Sequence, residues 1–283
     1  MSTAVVAAPF RFFAAGVVRA QRLGPSHTRV TLGGEGLDAF ASGGCDQSVS
    51  LFLPAPGLRE PVVPVDAGDG WWHAWRELPD DIRAVMRSYT VRAQRPAPGG
   101  GTEIDIDFVL HGVGRGGDAG PAARWAATAA PGDKVVILGP AVTNNTAVRF
   151  RPPAGSDLLV MWADETALPA AGAILESLPA GLHARVLLEV PRAGDRQPLR
   201  TAADAHLTWL VREEGAPCAL SALRRLELPP TAAPYAWLAG ESGNVRELRR
   251  HLVGERGFER SQVTFVGYWR RGLTEEQLRA ARR

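Results

Sequence analysis

Apolar residues along the chain follow two rhythms. From Phe10 to about Leu138 they come in short runs, Phe12–Arg19, His27–Leu32, Ser48–Leu53, Arg87–Arg92, Glu103–His111 and Lys134–Leu138. Turn-forming residues part them at Gly33-Gly34, Gly43-Gly44, Pro54 to Gly57 and Arg95 to Gly101. The clearest alternation, Ile104-Asp105-Ile106-Asp107-Phe108, gives a strand with one apolar and one acidic face. About six short strands at this spacing predict an antiparallel barrel or sandwich. One helix interrupts them, from Gly120-Pro121 through Trp125 to about Ala129, because proline at a helix start lacks only an N–H that has no partner there.

After Arg151-Pro152-Pro153-Ala154-Gly155 the rhythm changes. Strand-like runs at Leu158–Trp162, Ala184–Val190, Leu207–Arg212, Tyr235–Ala239 and Val263–Tyr268 alternate with helical patterns at Leu168–Leu178, Pro217–Leu226 and Val245–Gly254. In the last helix Val245, Leu248, Leu252 and Val253 recur at helical spacing, with Arg246, Glu247, Arg249 and Arg250 facing outward. Such alternation predicts a parallel sheet covered by helices on both faces, which binds ligands at the carboxyl ends of its strands. A final helix at Thr274–Arg282 opens with Thr274 and Gln277 in capping-box spacing. The chain divides on this reading into domains 10–151 and 152–283.

Composition narrows the function. Of 283 residues 45% are hydrophobic and 22% charged, so the chain can bury a core and is not disordered. Thirty-two basic against 30 acidic residues leave a net charge of +2, which argues against bulk nucleic acid as a partner. Lys134 is the only lysine. Cys45 and Cys218 lie too far apart for a disulfide framework or a metal cluster, and no metal site is predicted. The first thirty residues show no signal-peptide pattern, and no run approaches the roughly 20 apolar residues of a membrane span, so a cytoplasmic protein without membrane insertion is expected.

The candidate chemistry lies in the first half. Gly112-Val113-Gly114-Arg115-Gly116-Gly117 has dinucleotide-fingerprint spacing, but Gly139-Pro140 ends the next strand where an acidic residue is needed. The helix start Gly120-Pro121-Ala122-Ala123 can hold an anion such as a pyrophosphate, or simply follow a loop. In Arg87-Ser88-Tyr89-Thr90-Val91-Arg92, Arg87, Tyr89 and Val91 share one face and Ser88, Thr90 and Arg92 the other. Arginine can grip a phosphate, tyrosine offers a flat surface and threonine a hydroxyl; a plain strand with a charged face fits equally well. His27, His73, His183, His206 and His251 show no ligand spacing, and no Gly-x-Ser-x-Gly elbow supports a hydrolase.

Seven segments in order carry a resemblance: Arg87 to Arg92, Asp107-Phe108-Val109-Leu110-His111-Gly112, Gly120 to Ala126, Pro131-Gly132-Asp133, Asp164-Glu165-Thr166-Ala167-Leu168-Pro169-Ala170, Ala239-Gly240-Glu241, and Gly267-Tyr268-Trp269-Arg270-Arg271-Gly272. From about Phe10 to its end the chain resembles the siderophore-interacting protein family, flavin-dependent ferric-siderophore reductases among the ferredoxin-reductase-like flavoproteins. The resemblance implies an N-terminal antiparallel Greek-key β-barrel for FAD and a parallel-sheet, ferredoxin-reductase-like domain for NAD(P)H. It implies that the strand Arg87, Ser88, Tyr89, Thr90 and Arg92 cradles FAD, with Arg87 on the pyrophosphate, Tyr89 against the flavin and Thr90 near its reactive N5 edge. Asp107, Val109, His111 and Gly112 would line the flavin pocket, and Gly120, Pro121 and Ala122 would take the phosphates. Trp125 is either cofactor-binding or a core residue of its helix. Asp164, Glu165, Thr166 and Ala167 would form the nicotinamide-nucleotide loop, with Gly240 and Glu241 at the same strand ends. Thr90, Tyr89 and Glu241 are the candidate catalytic residues.

The implied reaction is hydride transfer from NADPH or NADH to FAD, then electron transfer to Fe(III) in a siderophore, which brings its own ligands. Arg270 and Arg271 are candidate substrate contacts or a solvated charge pair. Arg192 and Arg196 suit a 2′-phosphate, whereas Asp195 suits a free hydroxyl. Three features depart from the family pattern: the insertion Val113 to Ala119, expected as a mobile lip; Ala163 where a glycine is common; and the cluster Trp71, Trp72 and Trp75, read as a barrel-closing plug or a ligand-stacking edge. Two further readings stand beside the reductase: a general flavin-dependent electron-transfer reductase serving a ferredoxin, and a non-catalytic siderophore-binding protein.

Overall fold

The computed structural model describes residues 8–114 and 119–281. They form two compact units, one made of the chain up to Arg22 with His27–Val148, the other of Leu23–Ser26 with the chain from Arg149 onward.

In the first unit β1 (Phe10–Arg22), β2 (His27–Gly33), β3 (Ser48–Leu53), β4 (Val85–Pro96), β5 (Thr102–Val109) and β6 (Lys134–Pro140) close an antiparallel barrel in the Greek-key order β1-β2-β5-β4-β3-β6. Closure pairs every strand on both sides and leaves no edge. Period-two alternation sends Phe13, Leu32, Leu51, Ile104, Ile106 and Phe108 into the core. The acidic face of β5 does not meet water. Register sets Asp107 opposite Arg29, Asp105 opposite Thr31 and Glu103 opposite Arg95, and the three acids are buried under arginines. Arg29 grips Asp107 through Nε at 2.7 Å and Nη2 at 2.8 Å. Arg95 reaches Asp105 at 2.6 Å, and Arg19 binds Glu103 at 2.9 Å.

Two helices join the barrel. The sequence pattern shows no helix between β3 and β4, yet α1 (Trp71–Glu77) forms there. It packs Trp71, Trp72 and buried Trp75 on Phe52 and Phe12, a cluster separate from the barrel core. The tryptophans therefore cover an outer patch of the wall instead of closing the barrel: on β1 and β3, Phe12 and Phe52 point opposite to Phe13 and Leu51. The second helix, α2 (Pro121–Thr128), sets Ala122 and Ala126 in the core.

The second unit is a parallel sheet of β7 (Leu158–Ala163), β8 (His183–Val190), β9 (Asp204–Val211), β10 (Pro234–Glu241) and β11 (Val263–Trp269), in the order β11-β10-β7-β8-β9. Its near-continuous apolar runs, with Trp162, Trp237 and Tyr235 fully buried, are those of strands covered on both faces. The helices are α3 (Leu168–Ser177), α4 (Ala219–Arg225) and α5 (Ser242–Glu255), and Leu223, Val245 and Leu248 pack with Val160, Trp162 and Leu238. Thr274 and Gln277 form the reciprocal capping bonds expected before α6 (Glu275–Ala281). No described helix is long and apolar enough to cross a membrane. The order leaves β7 next to β10, with β8 and β9 continuing on one side and β11 on the other. A switch of this kind opens a crevice outside the strand ends.

Candidate functional site

In the barrel the candidate site lies on β4 and α2. Tyr89 points inward, its ring 4.4 Å from Phe108, which in turn lies 5.6 Å from Trp125 on α2. Thr90 is buried, while Ser88 is exposed and Arg87 and Arg92 half-buried. The bond from Arg87 Nη1 to the Met86 carbonyl, at 2.8 Å, folds the guanidinium back along its own strand. Helix α2 starts at Gly120 with no side-chain cap and no acid in its first turn. Those first N–H groups and the positive end of the helix dipole suit a phosphate. A guanidinium, a buried hydroxyl, a flat ring and an uncapped helix start form a donor set that fits FAD.

Other expected members of this site fall differently. Val109 ends β5 half-buried, and His111 and Gly112 form an exposed turn in which Gly112 takes φ 72°, a value glycine adopts without strain. Asp107 is corrected: it is buried and both its oxygens are held by Arg29, so it anchors the barrel wall and presents no carboxylate to a ligand. Trp125 packs against the core from a half-buried position. Of the insertion Val113 to Ala119, residues 115–118 lie outside the described residues, and with them the expected lip.

The second cluster occupies the carboxyl edge at the switch between β7 and β10. Asp164 follows β7 and accepts four hydrogen bonds: Thr166 N at 2.9 Å and Thr166 Oγ1 at 2.6 Å on one oxygen, Glu241 N and Trp269 Nε1, each at 2.8 Å, on the other. One buried carboxylate thus ties together the ends of β7, β10 and β11. Gly240 is required there, since a Cβ on it would stand 2.4 Å from the Asp164 carboxyl at φ 142°. Burial, with the neighbouring charge of Glu165, pushes Asp164 up to about 6 despite its donors.

Glu165 is also buried, held by Arg212 at the end of β9 through bonds of 2.6 and 2.8 Å, and Arg212 binds Glu189 at 3.0 Å. Glu165 is the main cause that raises the Arg212 pKa. Ala167 is buried at the N-cap of α3. Glu241 caps α5, accepting Gly243 N at 2.5 Å and Asn244 N at 3.0 Å, and its other oxygen takes Arg271 N at 3.2 Å. Burial alone would raise its pKa, but the backbone donors of Asn244, Arg271 and Gly243 hold it below the ordinary value. Both carboxylate oxygens of Glu241, one of the expected catalytic residues, thus meet backbone donors at the start of α5.

Arg270 and Arg271 are both exposed after β11. Asp195 is fully buried, accepting Ser26 N at 2.7 Å, and so does not face a ribose. Arg196 is paired with Glu214 at 2.6 Å. Arg192, half-buried after β8, has no side-chain partner among the described residues. Sequence reasoning missed Arg212, whose only signal is a charge ending an apolar strand, and the Trp269–Asp164 bond, which joins residues 105 positions apart.

Flavoprotein reductases of the ferredoxin-reductase type are built on this plan, a Greek-key barrel followed by a parallel nucleotide-type sheet, and the chain has that fold. Two family models match it in succession, the siderophore-interacting FAD-binding domain over residues 16–144 and the siderophore-interacting protein over residues 156–272. The chain is 31% identical to the ferric vibriobactin reductase ViuB of Vibrio cholerae over 92% of its own length and 89% of that protein's. The NADPH-dependent ferric-chelate reductase of Escherichia coli is 28% identical, with 92% and 93% covered. The crystal structure of the siderophore-interacting protein SipS from Aeromonas hydrophila superposes with a TM-score of 0.74 at 33% identity, covering 96% of each chain. The chain belongs to the siderophore-interacting protein family, and its barrel is that family's FAD-binding domain.

Proposed function

We propose that the protein is an FAD-dependent NADPH:ferric-siderophore oxidoreductase acting in the cytoplasm. The observation that carries this reading is the uncapped start of α2 beside the Arg87-x-Tyr89-Thr90 strand, in a barrel of the family's FAD-binding type. Bound FAD supplies the conversion of one two-electron hydride into two one-electron deliveries. The balance is one NADPH and two Fe(III) giving NADP⁺, one proton and two Fe(II). The siderophore, a far weaker ligand for Fe(II), then gives up its metal.

The chain's own residues bind and orient. Arg87 and the first N–H groups of α2 hold the pyrophosphate, Tyr89 supports the ring, and Thr90 hydrogen-bonds at its edge. In the second unit the loop after Asp164 takes the nicotinamide nucleotide, shaped by the bonds to Thr166, Glu241 and Trp269. NADPH is favoured because Arg192 stands unengaged after the second strand of the sheet, where a 2′-phosphate is read, while Glu189 beside it is bound by Arg212. Arg270 and Arg271 offer positive charge to an anionic chelate.

The test is a spectrum of the purified protein, then anaerobic mixing with NADPH and with NADH, then turnover with ferric chelates and with a ferredoxin. Yellow protein that is bleached faster by NADPH and reoxidised by ferric chelate is expected. Colourless protein that takes up no FAD would leave the binding-protein reading, and exclusive turnover with ferredoxin would leave the electron-transfer reading. Arg87→Ala should purify with much less flavin; full occupancy would remove the phosphate role.

A further inference from the structure

Three consecutive charged residues leave β9 as a single turn, Arg212-Glu213-Glu214, ended by Gly215 in the left-handed region at φ 72°. Each of the three bonds to the end of β8 or to the segment after it. Arg212, already bonded to Glu165, also reaches Glu189, the penultimate residue of β8, with Nη1 3.0 Å from Oε1. Glu213 accepts the Ala193 N–H at 2.6 Å and donates its own N–H to the Pro191 carbonyl at 3.1 Å. Glu214 holds the Arg196 guanidinium at 2.6 Å. The turn thereby fastens the segment Pro191–Arg196 at both its ends. Of the two arginines in that segment it engages Arg196 and leaves Arg192 open among the described residues.

Two side chains at the end of β8 favour opposite nucleotides. A carboxylate near the end of the second strand accepts the hydroxyls of a ribose without a 2′-phosphate, and an arginine nearby takes the phosphate. This chain carries both, Glu189 and Arg192. Arg212 decides between them. Its guanidinium offsets the Glu189 charge and occupies one carboxylate oxygen, at a side chain only 15% exposed, where solvent screens little. The guanidinium is itself fixed, because two bonds of 2.6 and 2.8 Å tie it to buried Glu165. We propose that Arg212 determines the choice of electron donor, as a positioning residue that silences Glu189 and leaves Arg192 to bind a 2′-phosphate. Bared of this partner, Glu189 would repel the phosphate and accept ribose hydroxyls, and the site would turn toward NADH. This inference rests on the NADPH reading given above.

The experiment titrates the FAD-loaded protein with NADP⁺ and with NAD⁺ by calorimetry, so that binding is read without turnover. The unaltered protein is expected to bind NADP⁺ at least about tenfold more tightly than NAD⁺. Arg212→Gln removes the charge and keeps a donor for Glu165. It should weaken NADP⁺ by about tenfold while NAD⁺ stays level or tightens, as the strength of one hydrogen bond to a charged group implies. Adding Glu189→Gln to that variant should return the ratio to within about threefold of its original value. A merely structural role for Arg212 would not be repaired by removing a second carboxylate. Glu189→Gln alone keeps the Arg212–Glu165 pair and should move the ratio by less than about threefold. A ratio unmoved by Arg212→Gln, or unrestored by the double substitution, overturns the proposal. So does a gain of about tenfold in NADP⁺ affinity on Glu189→Gln alone, an arm independent of how Arg212→Gln folds. Binding of neither nucleotide overturns the function reading instead.

Discussion

The barrel wall and the carboxyl edge of the sheet both bury carboxylates, and Asp164 at that edge is held in the opposite way to the wall acids. On the barrel wall Glu103, Asp105 and Asp107 each meet a guanidinium from a neighbouring strand, and Arg19 and Arg95 hold Glu103 below its ordinary range. Asp105 is lowered as well, because Arg95 and Thr31 together outweigh the opposing effect of burial. At the sheet edge Asp164 has only neutral donors and an acidic neighbour, and it rises to about 6. A buried acid matched to an arginine is framework: its charge is settled and its geometry fixed. A buried acid among backbone and indole donors, where three strands end, shapes a crevice and stays within reach of protonation.

The strongest way to break this contrast is to strand a wall acid. Arg29→Ala leaves Asp107, whose side chain has 0% exposure, without its bidentate partner. It should lower the unfolding free energy of the barrel by about 3–5 kcal/mol in urea titrations. A loss near zero would mean that the wall acids are ordinary surface groups.

The next effect comes from Asp164. Its folded pKa of about 6 exceeds the ordinary value of 3.8, so between these values the folded state holds the extra proton. Stability contributed by this group is therefore fully present below the unfolded pKa of 3.8 and is lost as pH rises through about 6, by about 3 kcal/mol in all. The lowered wall acids act oppositely, their contribution being present above the ordinary carboxylate range and lost as pH falls through it. The difference in unfolding free energy between the protein and Asp164→Asn should change across pH 4 to 6. A difference that is flat with pH would show that Asp164 titrates normally.

The smallest effect sharpens the same line. Arg19→Ala removes a half-exposed guanidinium from Glu103, which keeps its 2.9 Å bond to Arg95. A cost of about 0–1 kcal/mol is expected by thermal denaturation. A cost equal to that of Arg29→Ala would mean that burial of the pair does not govern its worth.

How much of this was legible along the chain follows from the range of each interaction. Short runs of polar and apolar residues were enough for the six barrel strands and near-continuous apolar runs for the five sheet strands, and Thr274 with Gln277 marked a helix start from a spacing of three. The motif order also pointed to the strand Arg87 to Arg92 and to the loop after Asp164. The role of Asp107 is hidden along the chain because its acidity is visible in sequence and its partner is not: Arg29 lies 78 positions away and meets it only because β2 pairs with β5. Helix α1 leaves no mark in the local pattern because its three tryptophans find their apolar surface only against Phe12 and Phe52.

Near-neighbour terms (capping, turn chemistry and side-chain period) placed every strand and all the helices but α1, to within a few residues at their ends. Which charges are neutralised and which buried acid stays poised were decided by strand order alone, because those energies arise between groups that only the closed barrel and the parallel sheet bring into contact.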